Sequence, residues 1–274
     1  MNETLLRVLD LTVTHRNTNY GRPAVNRVSF DLSQGSTLGI VGESGAGKSS
    51  LALALMGLHD SRRVQVSGSV LFRNTDLLKL SEAEYCRVRG AGLGMIFQDS
   101  TGALDPSMRV EDQLAAVIRM HADPGRQKAR ELARSRLSEV GITNDILDGA
   151  PYAYQLSGGL CQRAMIAMAL ACDPDVLIAD EPTSSLDVTL QSQIIALLTA
   201  RQKETGLAIA FISHDLALVS LFADDVLVLH QGETVEQGKC SEVLANPGHP
   251  YTRSLISAWR ITGHPQGDAA VAPA

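Results

Sequence analysis

The sequence predicts an α/β protein built on a mainly parallel central sheet. Two patterns point there. Short, mostly apolar runs at 38–41, 176–179 and 207–212 lie between stretches of helical periodicity. That alternation is expected of βα units whose strands are covered on both faces. A block at 106–147 instead repeats apolar residues at spacings of three and four, which reads as a helical insert within the α/β pattern. The 274 residues suffice for one large core of this kind.

Each element follows from its local pattern. LLRVLDLTV (5–13), AVNRVSFDL (24–32) and STLGIVG (36–42) read as successive strands, with a turn-rich stretch at 15–23 between the first two. Residues 49–56 form a helix that Gly57 closes. A strand pair is expected at 67–72 and 93–97. Within the insert, VEDQLAAVIRM (110–120) and RQKARELARSRLSEVG (126–141) are helices separated by Pro124 and Gly125. A helix at 157–171, a strand at 176–179, a helix at 188–202 and a strand at 207–212 resume the α/β alternation. Residues 226–229 and 234–236 close as a hairpin-like pair around Gly232. From Thr262 onward the small, polar tail is expected to be disordered. No internal repeat is visible.

Composition removes several classes of function. The chain is 45% hydrophobic and 20% charged, and its formal net charge is −6. Such a balance argues against a surface built to neutralise nucleic-acid phosphates. Its apolar stretches, 51–58 and 165–172 among them, fall well short of the roughly 18–20 residues a bilayer span needs. MNETLLRVLD shows neither the basic nor the apolar segment of a secretory signal, so a soluble, cytosolic chain is expected. Cys86, Cys161, Cys172 and Cys240 are scattered and the seven histidines do not cluster. Reduced, mostly buried thiols are therefore expected, with no zinc or iron–sulfur site.

The chemistry concentrates in two motifs. GESGAGKS (42–49) matches GxxxxGK[ST], with a strand before it and a helix after it. Glycines let backbone N–H groups turn toward phosphate oxygens, and the following helix presents its positive end. The residues of this cradle are Gly42, Glu43, Ser44, Gly45, Ala46, Gly47, Lys48, Ser49 and Ser50. Lys48 would reach the β- and γ-phosphates, and Ser49 would give its hydroxyl to Mg²⁺. In VLIADEP (176–182) an apolar strand ends in two acids. Asp180 would hold Mg²⁺ through water, and Glu181 would orient and polarise the attacking water.

Between these motifs lies LSGGLCQR (156–163). With it, the chain resembles the ATP-binding subunits of ABC transporters over nearly its whole length. That family's signature is usually LSGGQ; here Leu160 stands fifth, while Ser157, Gly158, Gly159 and Gln162 fit the pattern. Gln98 in MIFQD resembles the family's Q-loop glutamine, which senses Mg²⁺. SSLD (184–187) resembles the D-loop, and His214 in FISHD the switch histidine that steadies Glu181 and the water. The adenine-stacking aromatic is Tyr20 or His15. The resemblance implies a phosphate-loop NTPase fold over 1–261, with an N-terminal antiparallel β-subdomain and a helical subdomain at about 99–172. It further implies ATP and Mg²⁺ as cofactors and a catalytic set of Glu181, His214 and Lys48. Two cassettes would pack head to tail, with Ser157, Gly158, Gly159 and Gln162 meeting the partner's ATP.

MIFQDSTGALDPSMRV, IADEPTSSLDVTLQSQI and HPYTRSLISAW resemble the peptide/nickel branch of ABC importers. Implied partners are a second ATPase, different or identical, two permeases and, indirectly, a solute-binding protein, at the cytoplasmic face of the inner membrane. Without the cysteine-bearing tail usual in oligopeptide and dipeptide members, the chain leans toward the nickel or metal-chelate type. An accessory ATPase-like subunit of a phosphonate-breakdown complex is the competing reading.

Overall fold

The computed structural model describes residues 3–16, 22–122, 124–184 and 186–261. The chain opens with strands β1 (Thr4–His15), β2 (Val25–Ser33) and β3 (Thr37–Val41), then helix α1 (Lys48–Leu55). Strands β4 (Val64–Phe72) and β5 (Thr75–Asp76), helix α2 (Glu82–Val88) and strand β6 (Leu93–Ile96) follow. The next stretch is helical: α3 (Ser100–Ala103), α4 (Val110–Ala122), α5 (Arg126–Glu139), α6 (Asn144–Leu147) and α7 (Gly158–Ala169). Strand β7 (Val176–Asp180), helix α8 (Val188–Thr205), strand β8 (Ala208–Ile212) and helix α9 (Leu216–Phe222) restore the alternation. Strands β9 (Asp225–His230) and β10 (Glu233–Lys239) and helices α10 (Cys240–Ala245) and α11 (Pro250–Ile261) end the described chain.

The strands form two sheets. One is antiparallel, in the order β2-β1-β4-β5; the other runs β10-β9-β3-β8-β7-β6, parallel except where β10 returns against β9. Alternating side chains give the larger sheet two buried faces. Ile178, Ala210 and Ile212 join Leu51 and Leu55 of α1 and Leu6, Val8 and Phe30 of the antiparallel sheet. Leu177, Ala179, Ile209 and Phe211 face the opposite core, with Leu114, Leu137 and Ile166 of the helical stretch and Val219 of α9.

Register is what matters for function. Ile40 pairs with Ile212, Asp180 pairs with Ile212, and Ile96 pairs with Ala179. The residues that follow β3, β6, β7 and β8 therefore leave one edge of the sheet together. Ligands of open α/β sheets bind at such carboxyl ends.

One expectation fails. The segments at 67–72 and 93–97 are strands but not partners: β4 pairs antiparallel with β1, and β6 pairs parallel with β7 in the other sheet. Apolar patterning reports a strand, whereas its neighbour is set by burial of both faces. The hairpin at β9–β10 is as expected, with Gln231 and Gly232 both at positive φ in the turn. Tyr20 and the tail at 262–274 lie outside the described residues.

Phe211 is fully buried and meets Phe222 edge-on, ring centroids 5.3 Å apart. Phe211→Ala should cost about 3–5 kcal/mol of stability, read as a lower urea midpoint; an unchanged midpoint would show that β8 does not anchor this core.

Candidate active site

The turn after β3 folds as it does because two of its glycines do what other residues cannot. Gly45 and Gly47 have φ of +81° and +104°, the left-handed region. A Cβ on Gly47 would stand 2.2 Å from the Ala24 carbonyl oxygen. Gly47 caps α1 without a side-chain hydrogen bond, and the first turn carries no acid. The helix's free N–H groups are thus left for an anion. Inside the turn the Lys48 ammonium donates to the carbonyls of Gly42 (2.7 Å) and Glu43 (3.0 Å). Burial pushes Lys48 below the ordinary lysine range, against the attraction of Glu181 and Asp180.

Asp180, the last residue of β7, is 4% exposed. Burial raises its pKa, partly offset by a hydrogen bond from the Ser49 hydroxyl. Its Oδ1 is buried with no protein partner. One buried carboxylate oxygen beside a serine hydroxyl fits Mg²⁺, which keeps waters and phosphate oxygens in its shell rather than taking a cage of protein ligands. No cluster of three or more His, Cys, Asp or Glu able to hold a metal occurs among the described residues.

Glu181 takes φ of +49°, unusual for a side chain of its size. Its N–H donates to the Ile212 carbonyl at 3.0 Å, which holds the bend. Gln98 Nε2 donates to Glu181 Oε2 at 3.4 Å, and His214 Nδ1 lies 3.2 Å from Oε1. Gln98, Glu181 and His214 therefore come together from the ends of three different strands. His214 is 64% exposed, so its ring has room to turn. Ser44, Gly45, Gly47, Lys48, Ser49, Ser50, Gln98 and Glu181 line a cavity of about 200 Å³, joined by Ala24, which sequence reasoning missed. Nothing in its local sequence marks Ala24; it arrives from β2's start through the Gly47 contact.

The serine-led motif stands apart. Ser157, Gly158 and Gly159 line no part of that cavity. Ser157 is exposed and caps α7, accepting the Leu160 N–H at 3.4 Å. A Cβ on Gly158 would meet nothing within 4 Å, so its backbone is approachable. Gln162 is a correction. It is 1% exposed and donates to the Pro182 carbonyl at 2.7 Å, so it braces the Glu181 turn from within the subunit instead of facing a partner. His15 ends β1.

With its folded-state pKa raised, Asp180 is most compatible with folding below the ordinary carboxylate range, and that advantage is lost as pH rises through the raised value. Asp180→Asn should therefore melt roughly 2–4 °C above the unaltered chain near pH 7 without nucleotide. The gap should close toward about pH 4. Equal melting curves at neutral pH would contradict the buried charge.

Residues 25–184, more than half of the chain, match the family described as ABC transporter. The glutathione import ATP-binding protein GsiA of Shigella flexneri is 45% identical over 260 residues, which is 93% of this chain. The chain spans only 42% of the length of that relative. The dipeptide transport ATP-binding protein DppD of Bacillus subtilis is 44% identical, over 93% of this chain and 77% of its own. Dimeric MJ0796, a bacterial ABC transporter cassette, shares the fold with a TM-score of 0.77, over 86% of this chain and 98% of its own, at 24% identity. By the extent of the family match and the coverage of its dipeptide-transport relative, this chain belongs to the ABC transporter family.

Proposed function

We propose that this chain is the ATP-hydrolysing subunit of an ABC importer and powers uptake of a peptide-type solute through partner permeases. The observation that carries the reading is Glu181. It is bent into the cavity that Lys48 and Ser49 line, and held between Gln98 and His214. Mg²⁺ would be held by Ser49, Asp180 and Gln98, where it would offset phosphate charge. Lys48 and the N–H groups of α1 bind the β- and γ-phosphates. Glu181 accepts hydrogen bonding from the attacking water and polarises it, and His214 keeps that carboxylate oriented.

Ser157 and Gly158 are exposed at a helix start away from the cavity, an arrangement that suits a phosphate held by a second cassette. The γ-phosphate then joins two positively poised helix ends, and hydrolysis releases them. The partner is a second ATPase, different or identical; a dimer is also the form in which the MJ0796 cassette is described. A cavity of about 520 Å³ has an apolar side formed by Leu53, Met95, Phe97, Gly102 and Ala103 and a polar side formed by Ser49, Gln98, Asp99 and Asp180. It suits an apolar permease helix at the cytoplasmic face of the membrane. No described helix is long and apolar enough to cross a membrane itself. Relatives named for dipeptide and glutathione import favour a peptide cargo over nickel or a metal chelate, and favour transport over a role in phosphonate breakdown.

Glu181→Gln should retain ATP binding while hydrolysis by the assembled complex falls about 10²–10⁴-fold; steady-state turnover at the normal rate would remove Glu181 from its role. Ser157→Arg should abolish turnover in the assembled dimer yet leave nucleotide binding by the isolated chain intact. Loss of binding in the isolated chain would mean instead that the serine-led turn serves only the fold.

A further inference from the structure

The start of α11 reaches back to the phosphate loop. Glu236 on β10 accepts the N–H groups of Gly248 (2.7 Å) and His249 (3.0 Å). His249 Nδ1 accepts the Tyr251 N–H at 3.2 Å. These bonds set Tyr251 over His230 at the end of β9, ring centroids 3.9 Å apart and tilted by 32°. From there the Tyr251 hydroxyl accepts the Glu43 N–H at 3.0 Å. The carbonyl of the same Glu43 accepts from Lys48 Nζ. One residue of the loop is thereby tied at both ends, by Lys48 from inside and by Tyr251 from outside.

The two ties are not equivalent. Lys48 spends two of its three N–H donors on these carbonyls, and a phosphate in the cavity competes for the same ammonium, so the inner tie is the one that nucleotide weakens. The outer tie joins Tyr251 and Glu43, neither of which lines the cavity, so a phosphate there does not compete for it. We propose that Tyr251 is a positioning residue for the triphosphate: its hydroxyl holds the Glu43 amide so that the loop keeps its phosphate-binding shape while Lys48 engages the phosphate. This rests on the nucleotide site proposed above. Burial pushes the Tyr251 phenol up from its ordinary range, so it stays a neutral hydroxyl through physiological pH.

Tyr251→Phe tests this, because it removes the hydroxyl and leaves the ring on His230. Three readouts on the purified full chain separate the outcomes: the Kd for MgATP, the melting temperature without nucleotide, and amide exchange of the peptide spanning 41–48. The expected result is a Kd about three- to tenfold higher, the cost of one hydrogen bond. Faster exchange should be confined to that peptide, and melting should change by less than about 2 °C. An unchanged Kd overturns the proposal. So does a weaker Kd accompanied by a lower melting temperature and faster exchange throughout, which would be a general loss of stability. If the unaltered chain binds no MgATP, the nucleotide reading itself fails, and Tyr251 falls with it.

Discussion

The site depends on the parallel register of β3, β6, β7 and β8. Because Ile212 pairs with both Ile40 and Asp180, and Ala179 with Ile96, the strands end level with one another. A slip of one residue would exchange the two faces of a strand that is buried on both. Ile178 would then leave the α1 core for the helical one and Ala179 would do the reverse, a mismatch in packing that cores close-packed like crystals resist. The geometry at this edge of the sheet thus inherits its precision from the hydrophobic burial of the strands. The Glu181 N–H bond to the Ile212 carbonyl carries that register directly into the bent turn.

Charge is the second constraint. Lys48 and Asp180 are both largely buried, and burial shifts each toward its neutral form. Neither pairs simply with the other: Lys48 donates to backbone carbonyls and Asp180 accepts from Ser49. Such an arrangement is costly for the fold alone; on the function proposed above, a triphosphate and a divalent cation would supply the missing opposite charges.

A third feature links the helical stretch to the chemistry. Gln162 on α7 holds the Pro182 carbonyl, next to Glu181. Arg163, the following residue, donates to the Val140 carbonyl after α5 and to Gln193 on α8. Asp187 caps α8 at the end of the same turn. Helix α7 is thereby bonded directly to the turn that carries Glu181. Ser157 at the head of the same helix is exposed at the surface.

Much was legible from residues alone where a motif spans one turn. The glycine loop needs its glycines next to one another in the chain, so 42–49 announced itself, as did the acids closing β7. Gln98 and His214 were found through family pattern, since a lone glutamine or histidine after a strand carries no signal of its own. What stayed hidden involves partners remote in sequence. Ala24 meets Gly47 only because β2 and the loop converge, Gln162 turns inward only because Pro182 lies beneath it, and Tyr251 meets Glu43 across 208 positions. The chain by itself determined which segments are strands and helices and which turns can hold a phosphate, because those choices depend on neighbours within a few residues. The tertiary structure alone decided strand partners, as with β4 and β6, and which side chains brace the site, because those depend on long-range burial that local pattern does not encode.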